Sequence, residues 1–377
     1  MEKFFNRLLI ITFTAAMLVF FFATVAKKQP EVLFFDNRKA ATLEDGDLEK
    51  WYSDRLAFRD SLLKGYVLVN KNIFQKKEVN NVVYGENALL AYYTTNSFDE
   101  EQTNSDITAM ANYLQRVKES SEKNGGKLVY VGIPAELSVF KEAYPKGFCD
   151  YSPRFDYLQE NFFAALDEKG IDYIDTKPYF VNSTQKEKEY FTNDHHYTFF
   201  GALQVYNMLA ERLNLHPLKE EDFDYETLPN AFLGAMSRKI YDLYPNDNRV
   251  TLGYLKNAPK FTRYDMEQQV DANLYTLPSP TDYATYNIFM GGDKAETCID
   301  TDRAALPTVL VVGDSYSNAL ESILWSSVGK MYSLDYRYYK GKNLLNYIEE
   351  KKPDYVIMIR DETVYVDQSG NGFCEPQ

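Results

Sequence analysis

Apolar and polar positions along the chain change period several times, and each change marks an element. Leu8 to Ala26 (LLIITFTAAMLVFFFATVA) contains 19 positions without a charge, preceded by Lys3 and Arg7. At about 1.5 Å rise per residue, such a stretch matches the thickness of a bilayer's hydrocarbon core. Residues 1–30 therefore read as a signal anchor, or as a signal peptide cleaved after Thr24-Val25-Ala26. Lys27 and Lys28 flank the far side, so a count of basic residues does not orient the span. Anchor and cleaved signal alike place the remaining chain outside the cytoplasm. Residues 31–80 read as an amphipathic helical connector, because Leu62, Tyr66, Val69 and Ile73 recur at helical spacing within Leu43 to Phe74.

From residue 81 onwards the pattern alternates. Val82 to Tyr93 reads as a hairpin interrupted at Gly85-Glu86-Asn87. Helical periods over Asp106 to Lys123, Phe155 to Lys169, Phe199 to Leu213, Ser317 to Val328 and Leu344 to Lys351 are interleaved with short apolar runs. Those runs, Lys127 to Ile133, Ile171 to Asp175, Thr308 to Val312, Met331 to Asp335 and Tyr355 to Ile359, have the length and β-rich composition of buried strands. The alternation predicts a three-layer α/β domain with a mainly parallel central sheet over residues 81–377. Between Pro217 and Leu306 the alternation fails, and a stretch rich in Asp, Asn, Pro and Tyr predicts an insertion of short strands and loops.

Composition narrows the partners. The chain has 377 residues, 45% of them apolar, enough for a sizeable core. It also has 31 Tyr and 25 Phe, and tyrosine supplies stacking area plus a hydroxyl, which suits carbohydrate surfaces as well as cores. With 41 Lys and Arg against 55 Asp and Glu, the net charge of −14 argues against nucleic acid and disfavours docking on bare anionic lipid. Cys149, Cys298 and Cys374 are far apart and form no zinc or redox motif, although one disulfide is open to them outside the cytoplasm.

Two segments carry candidate chemistry. Val311-Val312-Gly313-Asp314-Ser315-Tyr316-Ser317-Asn318 is an apolar strand ending in glycine and followed by a helix. Ligands of open α/β sheets bind at the carboxyl ends of strands, so Ser315 is placed for exposure above the sheet, with its own N–H as the first oxyanion donor. The bland alternative is that Asp314 and Ser315 cap the helix. The second segment is Thr192-Asn193-Asp194-His195-His196-Tyr197-Thr198, in a chain with only three histidines. A histidine acting as base for a serine needs a carboxylate to fix its tautomer, and Asp194 and His196, two apart, lie on one face of an extended segment. Alternatively Asp194 caps the helix near Thr198, or Asp194, His195 and His196 bind a metal, which would want further ligands that the remaining histidine, His216, is poorly placed to give.

Taken together, Asp-His-His-Tyr-Thr followed by Gly-Asp-Ser-Tyr-Ser-Asn resembles the DHHW family of bacterial surface proteins and the related alginate O-acetyltransferases, which are SGNH-hydrolase-like enzymes. Trp51 to Asp60, Gly132 to Ala135, Tyr286 to Gly292 and Leu334 to Tyr339 add to the resemblance. It implies a triad of Ser315, His196 and Asp194. Gly291, Gly292 and the Asn318 side chain are added oxyanion candidates, and Arg337 is a candidate for holding an anionic group unless it only pairs with an aspartate. Tyr197 stands where the family has tryptophan, and Asn193 where an arginine often precedes the aspartate; Tyr197 is kept as a substrate candidate. The implied activity is O-acetylation of an exported or cell-wall glycan without a cofactor or metal, with a multipass membrane acyltransferase as acyl donor. An esterase using the same acyl-enzyme and a noncatalytic glycan-binding protein are the alternatives.

Overall fold

The computed structural model describes residues 2–26, 30–92, 98–148, 152–244 and 247–376. The chain forms two compact units, one of Met1–Val82 with Ser237–Pro245 and the other of Val83–Met236 with Asn246–Gln377.

In the first unit the apolar stretch forms the helix Glu2–Ala26, long and apolar enough to cross a membrane. The connector is not one helix. It comprises Leu48–Arg55 and Arg59–Leu68, which continues into a π-helical turn over Val69–Ile73. The break falls at Leu56 to Phe58, where Leu56 leaves the helical region with ψ 133° and Phe58 takes φ 57°. Buried Asp54 fixes the turn before the break: its two oxygens accept from Arg38 Nη1 and Nη2 at 2.6 and 2.7 Å, and one also accepts from the Ala41 amide. A segment assigned by pattern to the 217–306 insertion belongs to this unit, since Tyr241 packs on Phe35 and Arg238 donates to the Phe34 carbonyl.

The second unit is the α/β domain. Five strands are parallel, in the spatial order Lys330–Leu334, Thr308–Val312, Tyr355–Asp361, Lys127–Ile133 and Asp172–Asp175. Three antiparallel strands extend the sheet beyond Lys330–Leu334: Glu296–Asp300, then Thr262–Asp265, then Gln268–Val270. These come from the predicted insertion, so much of that stretch is sheet edge; its other two strands, Phe223–Thr227 and Thr251–Leu255, pair as a separate ribbon. The predicted hairpin forms with Val82–Tyr84 beside Leu89–Ala91, and Tyr93 lies outside the described residues.

The alternating side chains of the central strands feed two cores. Val309 and Val311, Val129 and Val131, and Ile357 and Ile359 join the core that includes helices Phe199–Leu213 and Ser315–Leu324. Leu310 and Val312, Leu128 and Tyr130, and Val356 and Met358 join the core under Glu100–Lys123, Ser152–Glu168 and Leu344–Lys351. Coverage of both faces is why these strands read as unbroken apolar runs rather than half-polar ones. It also leaves the strand ends as the place where polar side chains of this sheet meet solvent.

Candidate active site

Thr308–Val312 runs out of the sheet into Gly313, which is a glycine for a steric reason. A Cβ there would lie 3.0 Å from the Ser317 Cβ and 3.2 Å from its hydroxyl. Asp314 is extended and caps the next helix, its carboxylate accepting from the Tyr316 amide at 3.0 Å and its carbonyl from the Ser317 amide at 2.9 Å. The capping role therefore falls to Asp314, and Ser315, first residue of the helix, keeps its hydroxyl for another partner. With Tyr316 and Ser317 bonded to Asp314, the Ser315 amide has no acceptor among the described residues and remains at the positive end of the helix.

The other segment arrives 119 residues earlier in the chain. Residues 192–197 form a tight turn, not the extended stretch expected from spacing: the Phe191 amide donates back to the His196 carbonyl at 3.2 Å, and Tyr190 bridges Tyr197. Asp194 Oδ1 accepts from the His196 amide at 3.1 Å and meets His196 Nδ1 at 2.6 Å. Its Oδ2 accepts from the Ala235 amide at 2.5 Å. The loop can come this close because residue 234 is glycine; a Cβ would stand 2.2 Å from the Asn193 carbonyl oxygen and 2.9 Å from the Asp194 Cβ. The helix after the turn is capped by Thr198 and not by Asp194.

His196 Nε2 lies 2.7 Å from Ser315 Oγ. Asp194, His196 and Ser315 thus form one continuous hydrogen-bonded line, with Asp194 and His196 buried and Ser315 half-buried. Burial is the largest influence on the Asp194 carboxyl and works to raise its pKa. The imidazoles of His196 and His195, with the hydrogen bonds from His196 and Ala235, overcome that, so the group stays ionised well below the ordinary carboxylate range. Tyr286 completes the seating of the imidazole, its ring stacked on His196 at 3.9 Å with only 7° between planes.

The remaining expected site residues divide. Tyr197 is fully buried, packs on Tyr190 and Tyr316, and donates its hydroxyl to the Tyr316 carbonyl; it braces the first turn of the serine helix and does not face substrate. Gly291 and Gly292 have φ of 76° and 79° in one turn, but the Gly292 amide donates to the Phe289 carbonyl, which takes it out of an oxyanion role. Gly292 and Asn318 do line a small hollow with Gly313 and Asp314 beside the serine turn. Asn318 Nδ2 donates to Asp293 at 3.0 Å, and Arg337 is clamped between Asp293 and Asp335 at 2.8 and 2.6 Å, so it is an ion-paired residue first.

Spacing did not reveal Tyr286 and Ala235, which touch His196 and Asp194, or Asp361, which feels the charge of Asp314 beside the serine. Tyr286 and Ala235 come from the irregular stretch, where no periodicity flags them. Asp361 ends the strand Tyr355–Asp361, beside the serine strand, and burial followed by the charge of Asp314 pushes its carboxyl up to about 6. A polar residue closing an apolar strand in this fold is a signal that could have found it.

A metal reading is open to test on the donors themselves. Candidate ligand atoms of Asp194, His195 and His196 lie within 4.8 Å of one another. Both His196 nitrogens and both Asp194 oxygens, however, already have protein partners. A zinc ion would have to break the line that joins them, and the donor set does not fit one. Cys298 and Cys374 are free thiols, and Cys149 lies outside the described residues.

A sheet with helices on both faces and a serine at a strand-to-helix turn, in hydrogen-bond reach of a histidine held by an aspartate, defines an SGNH-type α/β enzyme. The model of the SGNH hydrolase-like domain of acetyltransferase AlgX matches residues 82–326, and the chain belongs to that family, whose members are O-acetyltransferase- or esterase-type enzymes. Among solved structures it is similar to Bacillus cereus PatB1 with a sulfonyl adduct, at 19% identity and a TM-score of 0.62, over 78% of this chain and 98% of that one. It is also similar to a DHHW family protein from Eubacterium siraeum, at 17% identity and a TM-score of 0.60, over 78% of this chain and 95% of that one. No curated protein matches the chain.

Proposed function

We propose that this protein is an extracytoplasmic serine O-acetyltransferase whose acceptor is a cell-surface or exported polysaccharide. Ser315 Oγ attacks the carbonyl of an acyl donor while His196 Nε2 takes its proton, and Asp194 steadies the imidazolium. The tetrahedral oxyanion accepts from the Ser315 amide at the helix N-terminus. The donor's leaving group departs with the proton from His196, giving an acetyl-serine ester. A sugar hydroxyl then gives its proton to His196 and its oxygen to the acetyl carbon; the bond from that carbon to Ser315 Oγ breaks, and His196 returns the proton to the serine oxygen. The N-terminal apolar helix supports the extracytoplasmic location, and a multipass membrane acyltransferase is the partner proposed to deliver the acetyl group.

The observation that carries this reading is the unbroken line from Asp194 through His196 to Ser315, at 2.6 and 2.7 Å. Incubation with p-nitrophenyl acetate followed by intact-mass measurement tests it. The expected result is a single acetyl increment on the wild type, located to Ser315 by peptide mapping and missing in Ser315→Ala. Turnover that is the same in wild type and Ser315→Ala would overturn the reading. Adding candidate oligosaccharides separates transfer from hydrolysis, because only a transferase moves the acetyl group onto sugar in preference to water.

A further inference from the structure

The first unit shows an exposed apolar face. Phe58, Leu62, Tyr66, Val69, Ile73 and Phe74 are all exposed, Phe58 by 61% and Ile73 by 70%. Leu62, Tyr66, Val69 and Ile73 follow one another at helical spacing, so they form a stripe and not scattered surface residues. Exposed apolar stripes of this kind mark a surface that meets something else.

What it meets is indicated by its attachment to the N-terminal helix. Of Lys3–Ala26, Thr24 is buried and Phe20 and Ala23 are half-buried, all on one side, while the rest is exposed. The Ala57 amide donates to the Thr24 hydroxyl at 3.1 Å, and the Phe58 ring meets the Phe20 ring edge-on at 6.1 Å. Phe20 lies six residues before Ala26, which at 1.5 Å per residue puts Phe58 about 9 Å below the end of the helix. If the helix spans a bilayer, that depth is the boundary between headgroups and acyl chains, where amphipathic helices lie about 5–10 Å deep.

Local charge agrees. From Phe58 to Lys77 the basic residues are Arg59, Lys64, Lys71, Lys76 and Lys77, against the single acid Asp60, in a chain whose net charge is −14. The stretch therefore carries the aromatic and basic residues of a membrane interface, and it reverses locally what the whole-chain charge suggested about anionic lipid.

We propose that Phe58 to Phe74 lies in the outer leaflet of the membrane as an interfacial segment, with Phe58, Leu62, Tyr66, Val69 and Ile73 in the acyl boundary and the flanking lysines among the headgroups. It gives the chain a second point of attachment to the membrane besides the anchor. The proposal rests on the reading of Glu2–Ala26 as a retained membrane anchor.

The full-length chain in phosphatidylcholine–phosphatidylglycerol vesicles, carrying the photoreactive residue p-benzoylphenylalanine at one position at a time, tests both. Position 13 reports the anchor, positions 66 and 73 report the stripe, and exposed position 277 is the control. Lipid adducts at 13, 66 and 73, severalfold above those at 277, are expected. Adducts at 13 with only background at 66 and 73 overturn the interfacial proposal while the anchor stands. No adduct at 13 removes the anchor and the proposal with it. Cross-links from 66 and 73 to a protein in place of lipid, in intact cells, would assign the stripe to a protein partner and likewise overturn it.

Discussion

Thr308–Val312 and the stretch from Leu62 to Ile73 both carry apolar residues at regular spacing, and they end in opposite states. In the first, successive side chains enter two different cores and every one of Val309 to Val312 is buried. In the second, the regularly spaced residues face outwards. Periodicity reports which residues share a face, whereas burial depends on whether another element covers that face. Where both faces are covered, polar groups are driven to the strand ends, and there they must satisfy one another. Asp194, His196 and Ser315 meet under that constraint, with each carboxylate oxygen and each imidazole nitrogen bonded.

If the covered half is the working half, its line of hydrogen bonds should fail sharply when cut. Ser315→Ala and His196→Ala are each expected to lower kcat for acetyl-ester turnover by about a thousandfold or more, and the double variant by little beyond that, because the two act as one unit. Thermal unfolding of Ser315→Ala should stay close to wild type, since Ser315 is half-buried and contributes little packing, whereas His196→Ala strips the buried Asp194 carboxylate of its partner and should melt lower. Equal losses of activity and of fold in Ser315→Ala would instead make the line a structural brace.

A subtler cut leaves all three side chains in place. Gly234→Ala adds a methyl 2.2 Å from the Asn193 carbonyl and 2.9 Å from the Asp194 Cβ, which must push the turn or lift the Ala235 amide off Asp194. Loss of about a hundredfold in kcat is expected, as for displacements of reacting groups by about 1 Å, with KM nearly unchanged. Steady-state kinetics of the purified protein make the split visible.

Much of the fold was legible because covered strands advertise themselves: Lys127–Ile133 and Thr308–Val312, and the helices Phe199–Leu213 and Leu344–Lys351, have the bounds their pattern predicts. The 217–306 stretch shows its loops and short strands, but its contribution to the sheet edge is hidden because Thr262–Asp265 and Gln268–Val270 are too short and polar to show a period. The connector's break was hidden for another reason. It depends on a long-range pair, Arg38 with Asp54, that no local pattern encodes. At the site, the scarcity of histidine gave away His196, and Asp194 followed as the carboxylate two residues before it, while Tyr286 was one of 31 tyrosines and carried no mark of its stacking.

Tyr286 offers a smaller test of the same region. Tyr286→Ala removes the ring that holds the imidazole plane and is expected to lower kcat by about fivefold to tenfold, in line with an aromatic contact of about 1 kcal/mol. Tyr286→Phe keeps the ring and should restore turnover. The hydroxyl is buried without a hydrogen-bond partner among the described residues, so losing it should leave stability unchanged or slightly improved. Failure of phenylalanine to rescue would move the role from the ring to the hydroxyl.

The last test reads stability and not turnover, and it lies deepest in the covered half. Glu136 is buried, accepts from the Ala91 amide at 2.8 Å, and has its carboxyl pushed up from 4.5 to about 7, first by burial and further by the charges of Asp194 and Asp361. Below pH 4.5 both folded and unfolded chains hold this proton, and stability is independent of it. Between 4.5 and 7 the folded chain keeps the proton that the unfolded chain releases, so this group's contribution to stability falls as pH rises through that window. The full loss is at most about 3 kcal/mol. Glu136→Gln supplies a permanently neutral group that still accepts from Ala91. Melting of the two proteins should therefore coincide near pH 4.5 and separate progressively up to pH 7, with the glutamine variant the more stable. Curves that stay parallel across the window would mean that Glu136 is ionised in the fold, and that the sheet's covered half tolerates a charge that its packing alone would exclude.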